Sequence, residues 1–217
     1  MIPRAGPAPV SGSVQSSKPV AGFGRTIAVA GLLIKQAAGP PQVTKAALRF
    51  DYDQTMRTVA AIGLISDTHG LLRPEALDAL QGSDLIIHAG DVGKPEIIDQ
   101  LRALAPAVAV RGNTDKSDWA AQLPETAIVE AGPAVIYVIH DIGQLDLDPA
   151  AAGFNVVVSG HSHKPGQTER NGVMYVNPGS AGPRRFRLPV TVARLDFGSL
   201  PWTVAFIDLS DLEKSRR

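Results

Sequence analysis

Over most of the chain, apolar runs of strand length alternate with segments whose polar and apolar positions follow a helical period. The pattern predicts buried strands at 58–65, 84–90 and 107–113, each ended by small polar residues. Helices are predicted from about Pro74 and over 95–104, because proline is favoured in the first helical turn. This β-α-β-α-β order is typical of a parallel sheet.

Strands with short connections dominate the second half of the chain. The pair Asn171-Gly172 lies between two short strands and indicates a hairpin turn. Together with the parallel part, the pattern predicts an α/β fold of two stacked mixed sheets with helices outside. The predicted strands of this half are 125–131, 134–140, 155–161, 167–177, 190–197 and 202–209.

Residues 1–55 differ from the rest. They hold six basic and two acidic residues, are rich in Pro, Gly, Ala and Ser, and show only a weak helical pattern around 26–37. We interpret them as a low-complexity, mostly unstructured extension of a domain at 56–217. A disordered tail, an organelle presequence and sequence upstream of a natural start at Met56 are the three alternatives, and the sequence leaves them open.

Composition excludes several classes of function. The chain of 217 residues is long enough for one well-buried core. It has no cysteine, which excludes disulfides, Cys-zinc sites and thiol nucleophiles. A net charge of zero without a long basic run gives no sign of specific nucleic-acid binding. The longest apolar run, 27–34, is well short of the ~20 residues that cross a bilayer. We expect a cytoplasmic protein, with organelle targeting and homo-oligomer formation left open.

Potential metal ligands collect where predicted strands end. In an open α/β sheet the carboxyl ends of parallel strands form the edge that binds ligands. We therefore expect seven side chains to converge on one rim: Asp67 and His69 after the first strand, Asp91 after the second, Asn113 after the third, and His140, His161 and His163 after two later ones.

The donor types indicate the chemistry. Carboxylate, imidazole and amide oxygen suit Mn, Fe, Zn or Mg. Seven donors exceed the needs of one ion, so two ions bridged by Asp91 are the simplest interpretation. Two cations ~3.5–4 Å apart can hold a phosphate and generate a hydroxide at neutral pH. On a tight glycine turn, His161 and His163 can each reach one ion.

The ordered motifs DTHG, GDVG, GNTD, GHSHKP and NPGS carry a family resemblance. Over about residues 57–209 the chain resembles the calcineurin-like metallophosphoesterases. Within them it is similar to the compact bacterial and archaeal phosphodiesterase branch, whose eukaryotic relative is the vacuolar-sorting subunit of retromer. The resemblance implies a four-layer α-β-β-α sandwich.

The resemblance also implies a ligand set for each ion. One ion would take Asp67, His69, Asp91 and His163, and the other would take Asp91, Asn113, His140 and His161. Asp141 stands where relatives usually have glycine, so the chain departs from the family pattern next to His140. The family implies two divalent ions, with Mn²⁺ first and Ni²⁺, Fe²⁺, Zn²⁺ or Mg²⁺ as alternatives.

A second departure bears on the substrate. Larger members of the superfamily have a histidine after the G-N pair that protonates the leaving group, whereas this chain has Thr114 after Gly112-Asn113. The absence of this histidine favours substrates whose leaving group has a low pKa, or protonation of the leaving group by another donor. We predict a phosphodiesterase in which a metal-bound hydroxide attacks a small phosphodiester. The alternatives are a phosphomonoesterase and a non-catalytic scaffold like the retromer subunit.

Several residues have plainer interpretations. Asp67 and Asp91 could each cap the helix that follows. His88 is expected to support Asp91 rather than bind metal. Asn177 and Ser180 either orient neighbours of the ligands or form a structural turn.

The basic cluster of Arg184, Arg185 and Arg187 could attract a phosphate. A solvated loop is the interpretation that the sequence favours for these three residues.

Overall fold

The structure is a computed structural model that describes residues 59–131, 133–198 and 200–215, together with three strands nearer the amino terminus. In chain order the strands are β1 (Ile27–Val29), β2 (Leu32–Gln36), β3 (Ala47–Tyr52), β4 (Ala61–Ile65), β5 (Leu85–His88), β6 (Ala107–Ala109), β7 (Thr126–Ala131), β8 (Ala134–Ile139), β9 (Val156–Val158), β10 (Gly166–Arg170), β11 (Val173–Asn177), β12 (Thr191–Asp196) and β13 (Thr203–Asp208). The helices are α1 (Pro74–Leu80), α2 (Pro95–Arg102) and α3 (Leu209–Ser215).

The strands form two mixed sheets, which confirms the predicted fold class. One has the order β13-β12-β4-β5-β6, in which β4, β5 and β6 are parallel and β12 pairs antiparallel with β4. The other has the order β1-β2-β3-β7-β8-β9-β11-β10, in which β8, β9 and β11 are parallel. The parallel strands of both sheets end at the rim that carries the predicted ligands.

The core lies between the two sheets. Every residue of β4, β5 and β6 is buried, as expected for parallel strands covered on both faces. Ile62 and Leu64 of β4 face Ile136 and Val138 of β8 in one apolar cluster. These apolar contacts exclude water from both faces of the strands and hold the strand ends in place.

Different elements cover the outer faces of the sheets. Helices α1 and α2 bury Leu80 and Leu101 against Ile65 and Ile86 on the five-stranded sheet. On the eight-stranded sheet, Tyr137 stacks on Phe154 from the connection between β8 and β9, with ring centroids 5.0 Å apart. In the described part of the chain no helix has the length and hydrophobicity needed to cross a membrane.

Local signals explain most element boundaries. In the turn between β10 and β11, Asn171 and Gly172 have φ of 52° and 75°, which confirms the predicted hairpin. The strand predicted to reach residue 209 ends at Asp208, because the Asp208 carboxylate accepts a hydrogen bond from the Ser210 N–H and caps α3. Helix α3 was not among the elements predicted from the sequence.

The prediction of a weak helix around 26–37 is wrong. β1 and β2 are antiparallel strands there, and β3 pairs parallel with β7. The physical reason is that β7 offers an edge of backbone hydrogen-bonding groups that an extended segment can cover. Within the extension predicted to be mostly unstructured, the described parts are β1, β2 and β3, and the rest of 1–58 lies outside the described residues.

Candidate metal centre

All seven predicted ligands lie on one rim of the molecule. Asp67 and His69 follow β4, Asp91 follows β5 and Asn113 follows β6, while the eight-stranded sheet contributes His140 after β8 and His161 and His163 after β9. The distances between their donor atoms divide them into two groups that meet at the two carboxylates.

The first group joins Asp67, His69 and His163. The Oδ1 atom of Asp67 lies 3.3 Å from Nε2 of His163 and 3.9 Å from Nε2 of His69. The two Nε2 atoms are 3.4 Å apart. Atoms that share one ion at about 2.1 Å lie roughly 3.0–3.4 Å apart. The separations of 3.3 Å and 3.4 Å fall in this range, whereas the 3.9 Å between Asp67 and His69 is wider.

The second group joins Asp91, Asn113, His140 and His161. The Nε2 atom of His140 lies 3.5 Å from Oδ2 of Asp91 and 3.1 Å from Oδ1 of Asn113. The same Asn113 oxygen is 3.1 Å from Nδ1 of His161. Because Oδ2 of Asp91 is also 3.8 Å from Nε2 of His69, Asp91 lies between the two groups.

Each carboxylate directs one oxygen at the imidazoles. Oδ2 of Asp67 accepts hydrogen bonds from the Ser66 hydroxyl at 2.6 Å and from the backbone N–H of His161 at 3.1 Å. Its Oδ1 is buried without any hydrogen-bond partner. A buried carboxylate oxygen is rarely left without a donor or a cation, so this atom fits a metal ligand. Asp91 repeats the pattern: Oδ1 accepts from the Thr114 N–H at 2.8 Å and Oδ2 faces His140.

Two features differ from the implied ligand sets. Asp67 belongs to both clusters of acidic and imidazole groups that could hold an ion, together with His69 and His163 in one and with Asp91 and His140 in the other. His161 belongs to neither cluster among the described residues. Its half-exposed ring reaches the site through Asn113 instead.

The departure at Asp141 also has a structural consequence. Its Oδ2 lies 3.9 Å from Nε2 of His161. Its Oδ1 accepts from the Gly143 N–H and begins a short 3-10 helix, Ile142–Gln144. The acid therefore faces the imidazole of His161 and orders the chain after His140.

The ligand loops have strained backbones. Five of the seven predicted ligands have φ in the left-handed region, which costs a residue other than glycine roughly 1–2 kcal/mol. Such strain persists where the surroundings require one conformation, as at functional sites. The sequence gives no signal of it. The five are Asp67 (54°), His69 (45°), Asp91 (56°), His161 (64°) and His163 (58°).

Glycines beside the ligands permit the close approach of the loops. A Cβ at Gly112 would overlap the backbone nitrogen and Oδ1 of Asp91, and one at Gly160 would overlap the Ser66 hydroxyl. The motifs GNTD and GHSHKP therefore need glycine at these positions because there is no space for a side chain.

The electrostatics depend on burial and on the paired groups. Burial raises the pKa of Asp67, and the Ser66 hydrogen bond only partly opposes this effect. Burial also acts to raise the pKa of Asp91, but His140 and the Thr114 N–H hold it well below its ordinary value. Burial acts to lower the pKa of His140, whereas Asp91 and the Ala89 carbonyl raise it overall. Without a cation, the contact between His140 and Asp91 therefore favours the charged form of each group.

Asp115 braces the site and was not among the residues predicted from the sequence. Its buried carboxylate accepts backbone N–H hydrogen bonds from Val92 at 3.1 Å, Gly93 at 2.8 Å and Gly112 at 2.9 Å. It thereby joins the loop after β5 to the loop after β6. The available signal was an acid in GNTD two residues after Asn113, but its partners are distant in sequence.

The plainer interpretations of the acids do not hold. The N-cap residues of α1 and α2 are Arg73 and Lys94, and neither helix has a side-chain cap. Asp67 and Asp91 therefore cap neither helix.

His88 has the expected supporting role. It is buried at 1% exposure, its Nε2 lies 2.9 Å from the Thr68 hydroxyl, and its Nδ1 accepts from the Gly90 N–H. Burial, followed by the nearby His140, lowers its pKa to about 3. It therefore remains neutral and holds the residue before Asp91.

The NPGS motif positions both ligand loops. The Asn177 amide donates to the Gly160 carbonyl at 2.6 Å and to the Ser162 hydroxyl at 3.1 Å. The Ser180 hydroxyl donates to the Asp67 carbonyl at 3.0 Å. Both residues thus form a turn and at the same time hold ligand-bearing backbone.

A cleft of about 430 Å³ opens beside Asn113 and His140. Its wall includes the cations Arg111 and Lys116 and the acid Asp141. The Arg111 guanidinium pairs with Glu125 at 2.8 Å. The cleft provides space for a substrate next to the second group of ligands.

Comparison with known proteins identifies the family. Residues 61–199 match the model of the calcineurin-like phosphoesterase superfamily domain. A probable metallophosphoesterase of Methanothermobacter thermautotrophicus is 36% identical over 148 residues, which cover 62% of this chain and 86% of the relative.

Solved structures agree with this assignment at the level of the fold. A novel archaeal phosphodiesterase has a TM-score of 0.58 and 23% identity, covering 68% of this chain and 99% of that one. Vps29 of Chaetomium thermophilum has a TM-score of 0.56 and 19% identity, covering 68% and 97%. Since the family model spans more than half of the sequence and the predicted resemblance is confirmed, the chain belongs to the calcineurin-like phosphoesterase superfamily.

Proposed function

We propose that the protein is a dimetal phosphodiesterase that hydrolyses small phosphodiesters. The observation that carries the proposal is the pair of carboxylates that direct one oxygen each at the imidazoles, Asp67 toward His69 and His163 and Asp91 toward His140. The buried Asp67 oxygen without a hydrogen-bond donor supports a cation there.

The proposed ligands divide between two ions. Asp67, His69 and His163 hold one, Asn113, His140 and His161 hold the other, and Asp91 lies between them. When bound, two divalent cations neutralise the charge of a phosphate and lower the pKa of water. We favour Mn²⁺ among the ions that such oxygen and nitrogen donors suit.

The protein's own groups orient the ligands and shape the cleft. The Ala89 carbonyl accepts from Nδ1 of His140 and leaves Nε2 free for a cation. In the described rim, all the imidazoles belong to the ligand groups. Thr114, which stands where larger relatives have the protonating histidine, has a hydroxyl 3.5 Å from Nδ1 of His69. A hydroxyl is a poor acid at neutral pH, which favours substrates whose leaving group needs little protonation.

The likeness to one solved structure supports a phosphodiester substrate, and the likeness to another supports the scaffold alternative. The archaeal neighbour is named a phosphodiesterase, whereas Vps29 is the protein that the scaffold alternative resembles. The presence of all seven donors on one rim favours catalysis over a scaffold. The missing histidine after Asn113 favours the diester over a monoester.

The experiment is a comparison of 4-nitrophenyl diester and monoester hydrolysis by metal-stripped protein resupplied with Mn²⁺, Ni²⁺, Zn²⁺ or Mg²⁺. We expect metal-dependent turnover with a higher kcat/KM for the diester. Preference for the monoester would favour the phosphomonoesterase, and no turnover with any ion would favour the scaffold.

A further inference from the structure

The loop after the NPGS motif presents an unusual turn. The Leu188 N–H donates to the Arg185 carbonyl at 3.2 Å, so residues 185–188 form a tight turn. Phe186 lies in this turn with φ of 54° and 92% of its surface exposed. The neighbouring Arg184, Arg185 and Arg187 are also exposed.

The position of Phe186 is costly for the fold. A left-handed φ favours glycine or asparagine over a bulky residue, and an exposed ring gains little from packing. An aromatic ring held in this way is available to an external partner. Strained residues of this kind cluster at binding sites.

The base of the loop is attached to the candidate metal centre. The Ala181 N–H donates to the Ser66 carbonyl at 3.0 Å, and the Arg73 guanidinium donates to the Gly182 carbonyl at 3.3 Å. Gly182 packs so closely on the Asp67 and Thr68 carbonyls that a Cβ would overlap both. Arg185 follows three residues later, so its Cα lies within about 11 Å of this contact.

The two adjacent arginines face different surroundings. Arg184 lines a separate cleft of about 290 Å³ with Arg73 and Glu75. Arg185 lies on the exposed part of the loop, three residues after the anchored Gly182, and is not among the residues that line this cleft. Arg185 forms no ion pair with another described residue. The segment 177–190 also contains no acidic residue, so the charge of Arg185 is available to an anion.

We propose that Arg185 and Phe186 bind the half of the substrate that does not react, and that this half is a phosphorylated nucleoside. The ring of Phe186 stacks on the base, and the guanidinium of Arg185 binds the additional phosphate. This inference rests on the proposed phosphodiesterase function and adds to it the class of substrate.

The test uses three diesters of 4-nitrophenol with the metal-loaded full chain. They share the leaving group and differ in the other half, which is methyl, thymidine linked through its 5′-oxygen, or the same nucleoside with a 3′-phosphate. We expect kcat/KM to rise in that order, by about tenfold at each step. Constant ionic strength keeps general charge effects equal across the series.

Single variants assign each gain to a residue. Phe186→Ala should remove most of the gain from the nucleoside, and Arg185→Ala most of the gain from the 3′-phosphate. The matched control is Arg184→Ala, which removes the same charge from the same loop on the side of the other cleft. It should keep both ratios of the wild type.

The outcomes separate this inference from the proposed function. Turnover of all three esters with equal kcat/KM, or ratios unchanged in Phe186→Ala and Arg185→Ala, would show a solvated loop and overturn the inference. No turnover of any ester would contradict the proposed function. Calorimetric binding of thymidine 3′,5′-bisphosphate then decides: weaker binding by both variants would support the subsite, and equal or absent binding would overturn it.

Discussion

The Nδ1 atom of His140 lies 2.7 Å from the carbonyl oxygen of Ala89, the residue directly after β5. Only a protonated nitrogen can donate to a carbonyl, so the free lone pair of the neutral ring is on Nε2, which faces Asp91. Histidine ligands of metals are commonly held in this way through their second nitrogen. A cation and a proton therefore compete for Nε2 of His140.

This competition predicts how metal affinity depends on pH. Although burial acts to lower it, Asp91 and the Ala89 carbonyl raise the pKa of His140 above 6.5. Below that raised pKa the imidazole carries a proton that the metal must displace. We expect Mn²⁺ affinity to fall as the pH decreases from 8.5 to 6.5, with protons released on binding. Calorimetry in two buffers of different ionisation enthalpy measures the Mn²⁺ affinity and the number of protons released. A constant affinity over this pH range would contradict the competition between Mn²⁺ and a proton for His140.

Asp115 predicts a loss of stability at a distance from the cations. Asp115→Ala leaves three N–H groups without their acceptor, the buried ones of Val92 and Gly112 and the exposed one of Gly93. Because each buried donor without an acceptor costs about 1–3 kcal/mol, we expect a decrease of at least about 2 kcal/mol in the free energy of unfolding. Urea denaturation of the metal-free protein measures it.

The control for Asp115 is an exposed acid of the same type. Asp99 of α2 lies 3.7 Å from Arg102, and both side chains are largely exposed. Asp99→Ala should therefore change the free energy of unfolding by less than about 0.5 kcal/mol. A decrease of that small size in Asp115→Ala would contradict the bracing role.

His88 predicts part of the acid sensitivity of the fold. Burial, aided by the charge of His140, lowers its pKa from 6.5 to about 3. The unfolded chain therefore binds a proton at His88 as the pH falls below 6.5, while the folded chain does not. The stability that depends on neutral His88 is complete above pH 6.5 and decreases as the pH falls toward 3. By linkage, His88 accounts for about 2 kcal/mol of stability lost between pH 8 and pH 5.

His88→Gln tests this assignment because glutamine stays neutral at every pH. Its free energy of unfolding without metal should decrease less between pH 8 and pH 5 than that of the wild type, by about 2 kcal/mol. The absolute stability of the variant does not enter the comparison. Parallel pH profiles for the two proteins would show that His88 is protonated in the fold.

Removal of residues 1–55 tests the predicted domain boundary. All seven proposed ligands and the family match at 61–199 lie in the part that remains. We expect a chain that starts at Met56 to fold and to keep metal-dependent diester hydrolysis. Loss of β3 exposes the edge of β7, so aggregation at high concentration is the expected cost. An insoluble product, or one without activity, would show that the domain needs the extension.

Much of the fold could be predicted from the sequence because its signals are local. The apolar run of β4, the prolines that begin α1 and α2, and the Asn171-Gly172 turn each determine a nearby boundary. The candidate site could be predicted because residues that follow the carboxyl ends of parallel strands lie together at one edge of the sheet, which requires no detailed geometry.

The remaining features depend on contacts between distant parts of the chain. Asp115 braces a loop more than twenty residues away, and Asp141 meets His161 from another strand. The left-handed conformation of Asp67 and His163 results from their surroundings rather than from their residue type. The helix expected around 26–37 failed for the same reason, since pairing of strands outweighed a weak local preference.

The central claim is that two cations held around Asp91 make this protein a phosphodiesterase. The most direct test is a titration of Mn²⁺ into the metal-free protein during hydrolysis of bis(4-nitrophenyl) phosphate, with Asp91→Ala in parallel. We predict that wild-type activity rises until two equivalents are bound and that the variant shows neither metal uptake nor activity. Full activity of Asp91→Ala, or a wild-type plateau at one equivalent, would contradict the claim.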